Sequence, residues 1–70
     1  MNWDQIAGKW TELKGSARSH WGDLTDDELD QVQGDREQFE GLLQQKYGKA
    51  KEDVRAEVDS WLASMDRTDA

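Results

Sequence analysis

The chain has no cysteine, no proline and a single histidine. Without cysteine, neither a disulfide framework nor a thiolate metal site can brace a small scaffold, and a reduced, cytoplasmic compartment is expected. Without proline, no position forces a helix to stop by lacking an amide donor. No stretch approaches the ~18 apolar residues of a membrane span. The start Met1-Asn2-Trp3-Asp4 has neither the basic-then-apolar pattern of a secretory leader nor the Met-Gly of a myristoylation signal, so secretion and membrane insertion are not expected. One histidine, His20, with no cysteine and no serine set beside a second base, cannot form a triad or a thiol mechanism. A helical array this small rarely encloses the ~300 Å³ of a ligand pocket. No enzyme is expected, and no catalytic residue, cofactor or metal.

The chain's 70 residues make one domain at most, near the size where a hydrophobic core only just offsets chain entropy. Hydrophobic residues are 34% and charged residues 36%, with a net charge of -7, a balance that leans toward disorder unless the apolar residues are well placed. Residues 1–22 carry Lys9, Lys14 and Arg18 against Asp4 and Glu12, so the acidic excess falls on residues 23–70. Such a surface repels phosphate backbones and lacks the basic clusters that drive counterion release, and nucleic acid is not an expected partner.

The apolar residues recur at helical spacing, which predicts an all-α fold of four short amphipathic segments. Trp3, Ile6, Trp10, Leu13, Ala17 and Trp21 fall in one arc of about 120° and predict a helix over residues 3–21, with Asn2 and Gln5 as a capping box and Gly22 as its end. Thr25 and Glu28 form a second capping box, with acids in the first turn and Leu24 facing Leu29 as a hydrophobic staple. The helix they open, residues 26–33, buries Leu29 and Val32 and stops at Gly34. Asp35 and Gln38 cap a third segment, 36–47, which turns Phe39, Leu42, Leu43 and Tyr47 to one side and ends at Gly48. The fourth, 50–65, aligns Ala50, Val54, Val58, Trp61, Leu62 and Met65, with Arg55 between Glu52 and Asp59 on the wet side. A single domain over residues 1–65 with a frayed acidic tail over 66–70 is expected. The connections span only a few residues, so successive helices fold back beside one another.

Trp3, Trp10, Trp21 and Trp61 all lie on apolar stripes, which marks them as core rather than as docking residues. Gly8, Gly15 and Gly22 recur every seven residues, Gly8 and Gly15 opposite the tryptophan stripe, where core packing does not account for them. Two readings stand: a smooth surface that admits another backbone, or a deliberately weak helix that orders only under some conditions. Gly41, on another polar face, favours neither. Asp23, Asp26, Asp27, Glu28 and Asp30 superficially suggest calcium, but Glu28 occupies the place of the obligatory loop glycine, and helix capping explains the acids better.

Gly8-Lys9-Trp10, Lys14-Gly15, Trp21-Gly22-Asp23-Leu24-Thr25-Asp26-Asp27 and Tyr47-Gly48 closely resemble the landmarks of CsbD-like proteins, over nearly residues 2–61. The resemblance implies a small helical bacterial protein of the general stress response, with no catalytic residues to carry over. Relatives often look richer in lysine along the first helix, whereas Ser16, Ala17 and Ser19 leave that surface nearly neutral here, which argues against an anionic partner. The expected function is a non-enzymatic, soluble protective or interaction module acting as a monomer in the cytoplasm. The alternative is a binding module whose weak first helix orders on a helical protein partner.

Overall fold

A computed structural model of the chain describes residues 2–67 and the side chains of residues 2–65. Five helices follow in order: α1 (Trp3–Gly8), α2 (Trp10–His20), α3 (Asp26–Val32), α4 (Arg36–Tyr47) and α5 (Lys51–Arg67). No strand occurs among the described residues. The predicted caps form. Asn2 Oδ1 accepts from Gln5 N–H at 2.9 Å while Gln5 Oε1 accepts from Asn2 N–H at 3.1 Å. Thr25 and Glu28 make the same reciprocal pair at the start of α3, and Asp35 accepts from Gln38 N–H at 3.2 Å to open α4. These contacts satisfy amides that a first helical turn leaves unpaired.

Two helix ends need left-handed backbone. α4 stops at Gly48, φ 64°, as its glycine predicts. α3 stops one residue earlier than expected: Gln33 adopts φ 53°, and Gly34 follows at φ 81°. Gly34 has a second reason to lack a side chain, because a Cβ there would stand 3.1 Å from both Cα and Cβ of Ala7. The turn after α3 is thus pressed against α1.

The first segment, expected to run unbroken over 3–21, is interrupted at Lys9, whose φ of -116° and ψ of 26° lie outside helical values. A straight helix would separate residues 3 and 10 by about 10 Å along its axis. Bending at Lys9 brings the Trp3 and Trp10 ring centroids to 5.9 Å and lets Ala7 reach Gly34. Tertiary packing overrides local continuity here. The fourth segment is longer than predicted: α5 begins at Lys51, leaves Ala50 exposed before it, and continues through Asp66 and Arg67, residues expected to fray. The rest of the expected tail, 68–70, lies outside the described residues.

Neighbours in sequence are neighbours in space, with α2 against α1 and α3, and α4 against α3 and α5. The radius of gyration, 11.2 Å, is that of a fully condensed chain of this length. Ile6, Trp10, Ala17, Trp21, Leu24, Leu29, Val32, Phe39, Leu43, Val54, Val58, Trp61 and Leu62 are buried in one cluster. Trp3, Leu13, Leu42, Tyr47 and Met65 pack against it half-buried. No large hydrophobic side chain is exposed among the described residues.

Candidate functional site

The core is organised around Phe39, which α4 turns inward with no exposed surface. Its ring lies 5.7 Å from Trp3, 5.6 Å from Trp10, 5.3 Å from Trp21 and 5.9 Å from Trp61, centroid to centroid. All four indoles of the chain therefore meet on one phenyl ring. The Trp10 and Trp21 rings stand edge-on to it, an arrangement that sets the positive rim of one ring against the negative face of another. Trp21 and Trp61 also pack edge-on at 5.3 Å, joining the end of α2 to α5.

Three buried indoles and the half-buried Trp3 bring four N–H donors to the core, and each has found an acceptor. Trp3 Nε1 donates to Gly34 O at 2.6 Å, and Trp10 Nε1 to Leu29 O at 2.7 Å. Trp21 Nε1 donates to Glu57 Oε1 at 3.2 Å, and Trp61 Nε1 to Ser16 Oγ at 3.2 Å. These bonds connect distant parts of the chain, and no buried polar side-chain atom lacks a partner among the described residues. An unpaired buried donor would cost about 1–3 kcal/mol.

A ring of ion pairs surrounds this core, and nearly all of them join different elements. Lys14 pairs with Asp30 and Arg18 with Asp26 at 3.1 Å, clamping α2 to α3. Lys46 reaches Glu28 at 2.9 Å, and Lys49 reaches Glu57 at 2.7 Å. Of the acids that superficially suggested calcium, Asp26, Glu28 and Asp30 are engaged in caps and clamps, and among the described residues no cluster of three His, Asp or Glu could hold a metal ion. The Lys46 ammonium holds the Glu28 carboxyl below its ordinary value, against partial burial and with help from Thr25. Lys49 does the same to Glu57, again against burial, and the Trp21 N–H adds to the effect. Lys14 and Lys49 are correspondingly raised by hydrogen bonds to Asp30 and Glu57.

One buried charge was not legible beforehand. Glu40, one turn after Arg36, is only 3% exposed. Arg36 Nε donates to Glu40 Oε2 at 2.8 Å, and Arg36 Nη2 to Asp59 Oδ1 at 2.7 Å. Burial works against the Arg36 charge, but the two carboxylates outweigh it and raise the guanidinium above its ordinary value. Asp59 accordingly pairs with Arg36 rather than with Arg55 four residues before it. The i, i+4 spacing of Arg36 and Glu40 was the available signal, although such spacing more often marks a wet surface pair.

The residues expected to form an interaction surface, Gly8, Gly15 and Gly22, are all exposed, and a Cβ at any of them would meet nothing within 4 Å. Among the described residues, no other part of the chain reaches the place a side chain would take at these positions. His20 lies exposed in the last turn of α2, edge-on to Trp21 at 4.3 Å. Among the described residues, open concavities run between helices. The largest, about 550 Å³, is lined by Arg36, Glu37, Glu40, Lys51, Arg55 and Asp59. A second of about 370 Å³ involves Gln31, Gln38, Gly41 and Leu42, and a third of about 300 Å³ involves Ser16, Ser19, His20 and Trp61. They reach the volume of ligand pockets, yet all are open grooves, and in the largest the Glu40 and Asp59 carboxylates are already held by Arg36. Among the described residues, no helix is long and apolar enough to cross a membrane.

Fold and core thus define a small, acidic, all-α protein whose tryptophans converge on one phenylalanine. The chain belongs to the CsbD-like family, whose model matches residues 4–56. It is similar to a UPF0337 protein of Bordetella pertussis, with 52% identity over 58 residues that cover 83% of this chain and 88% of the relative. A UPF0337 protein of Rhodopseudomonas palustris is 46% identical over 65 residues, covering 93% of this chain and 98% of the relative. The UPF0337 protein YjbJ of Escherichia coli is 43% identical over 61 residues, covering 87% and 88%. No solved structure matches the chain.

Proposed function

We propose that this chain is a non-enzymatic member of the bacterial general stress response, working in the cytoplasm as a soluble protective or interaction module. One observation carries the reading. A chain with net charge -7 buries or half-buries each large apolar side chain among the described residues, which leaves no large exposed hydrophobic among them to drive self-association. Such a surface stays hydrated and dispersed when other proteins are losing solubility. Family membership supplies the stress-response context, and in the largest groove Arg36 already engages the Glu40 and Asp59 carboxylates, which leaves catalysis little to work with. Deleting the gene should lower survival under the stress that raises expression. Constant expression together with unchanged tolerance would refute the proposal.

A second reading is a binding module that receives a helical partner along Gly8, Gly15 and Gly22. It is favoured by the open space over Gly15 in the middle of α2, where neither packing nor backbone conformation asks for glycine. Crosslinking in stressed cells should then capture one dominant protein from wild type and lose it in Gly15→Leu. Equal capture by both would count against this surface.

A further inference from the structure

The break between α1 and α2 is the least expected feature of the backbone. The apolar spacing from Trp3 to Trp21 suits one continuous helix, yet Lys9 leaves helical geometry. Its N–H is shared between Gln5 O at 3.2 Å and Ile6 O at 3.1 Å, and its carbonyl accepts from Glu12 and Leu13, both at 3.0 Å. Mixed three- and four-residue bonds of this kind mark a tightened turn inside a helix that is otherwise intact. What holds α1 down is side-chain contact with the body: Trp3 Nε1 on Gly34 O, the Trp3 ring on Phe39, Ile6 fully buried, and Ala7 against Gly34. None of these contacts requires α1 and its seat to belong to the same molecule.

We infer that the seat beside Gly34 and Phe39 can also receive α1 of a second copy of this chain, giving a domain-swapped dimer in which residues Trp3–His20 form one straight helix. Exchange of identical segments preserves every contact of the seat, so the dimer differs from two monomers chiefly in the hinge and in the entropy of association. In the swapped form Lys9 takes helical dihedrals, and the four-residue bonds it already donates to Gln5 and accepts from Leu13 continue without the competing three-residue ones. A Cβ at Gly8 would meet nothing within 4 Å, so no described neighbour presses on the hinge at that point. The partner is specified by the seat itself: a helix presenting a tryptophan and, three residues on, an isoleucine, with a small residue beside Gly34. α1 is the segment of this chain that carries all three.

The test is refolding from denaturant at 10 µM and at 1 mM, followed by light scattering on a sizing column. Wild type should be monomeric at the lower concentration and partly dimeric at the higher. In Lys9→Gly, which favours the bend and disfavours helix in both hinges, the dimer constant should fall roughly tenfold. Isotope-filtered NMR on a mixed labelled and unlabelled sample should show contacts between the Trp3 indole of one chain and Gly34 of the other. A monomer at 1 mM, a dimer without that intermolecular contact, or a dimer constant unmoved by Lys9→Gly would each overturn the inference.

Discussion

Gly15 sits near the middle of α2 and Gly41 near the middle of α4, both exposed, and a methyl group added to either would meet nothing within 4 Å. Neither has a positive φ, so alanine fits both without strain. Alanine should therefore act through the helix-coil balance alone, by restricting the unfolded chain and favouring helix, at about 1 kcal/mol per site. The two positions lie on different helices and share no close neighbour, so their effects should add to about 2 kcal/mol. For a domain of this size 1 kcal/mol moves the melting temperature by about 4–8 °C, and the double variant should melt about 8–16 °C above wild type. Thermal circular dichroism at 222 nm measures the shift, and the urea midpoint checks it by another route. An unchanged or lowered melting temperature for Gly15→Ala would refute the reasoning, because it would mean that the fold uses the missing side chain. If the single variant is stabilised but loses partner capture, the docking reading of this surface gains; if it is stabilised with capture intact, the weak-helix reading gains.

Removing Arg36 strands a buried carboxylate, so Arg36→Ala should cost about 3–5 kcal/mol, enough to unfold a small domain, whereas adding Glu40→Met should restore most of it; urea titrations of the single and double variants decide. Phe39→Leu should keep the helices but cost about 1–3 kcal/mol and weaken the near-ultraviolet dichroism of the indole cluster; an unaltered near-ultraviolet spectrum would count against the single-ring hub. Glu28 and Glu57 have folded-state pKa values below their ordinary 4.5, so their contribution is fully present above that value and is lost as pH falls through the lowered ones. The urea midpoint should therefore decline from about pH 5 downward, and Glu57→Gln, whose amide oxygen can still accept from Trp21, should flatten part of that decline. A decline of the same size in the variant would exclude Glu57 as one of its sources.

Much of this molecule is written locally. The caps at Asn2, Thr25 and Asp35 depend on groups three residues apart, and Gly48 ends its helix through its own φ, so each is legible without knowing what lies across the core. The inward face of each segment is legible for the same reason, since period and polarity belong to single segments. The candidate site was less readable. The glycine surface can be located in the sequence, but periodicity does not say whether another part of the chain covers it; the structure leaves it open.

Other features depend on which surfaces meet. No pattern singles out Phe39 rather than Leu43 as the side chain on which all four tryptophans converge, and none assigns the indole donors to Gly34, Leu29, Glu57 and Ser16. The burial of Glu40 follows from α5 placing Asp59 beside Arg36, twenty-three residues along the chain. The bend at Lys9 is likewise an outcome of packing, because bringing Trp3 and Ala7 onto the body outweighs one interrupted turn of helix. Composition, caps and periodicity determined by themselves that the chain is helical and where most of its helices begin and end, since those preferences act over three or four residues. Tertiary structure alone decided the aromatic hub, the indole partners and the broken first helix, since each is a contest between elements whose energies exist only once the elements touch.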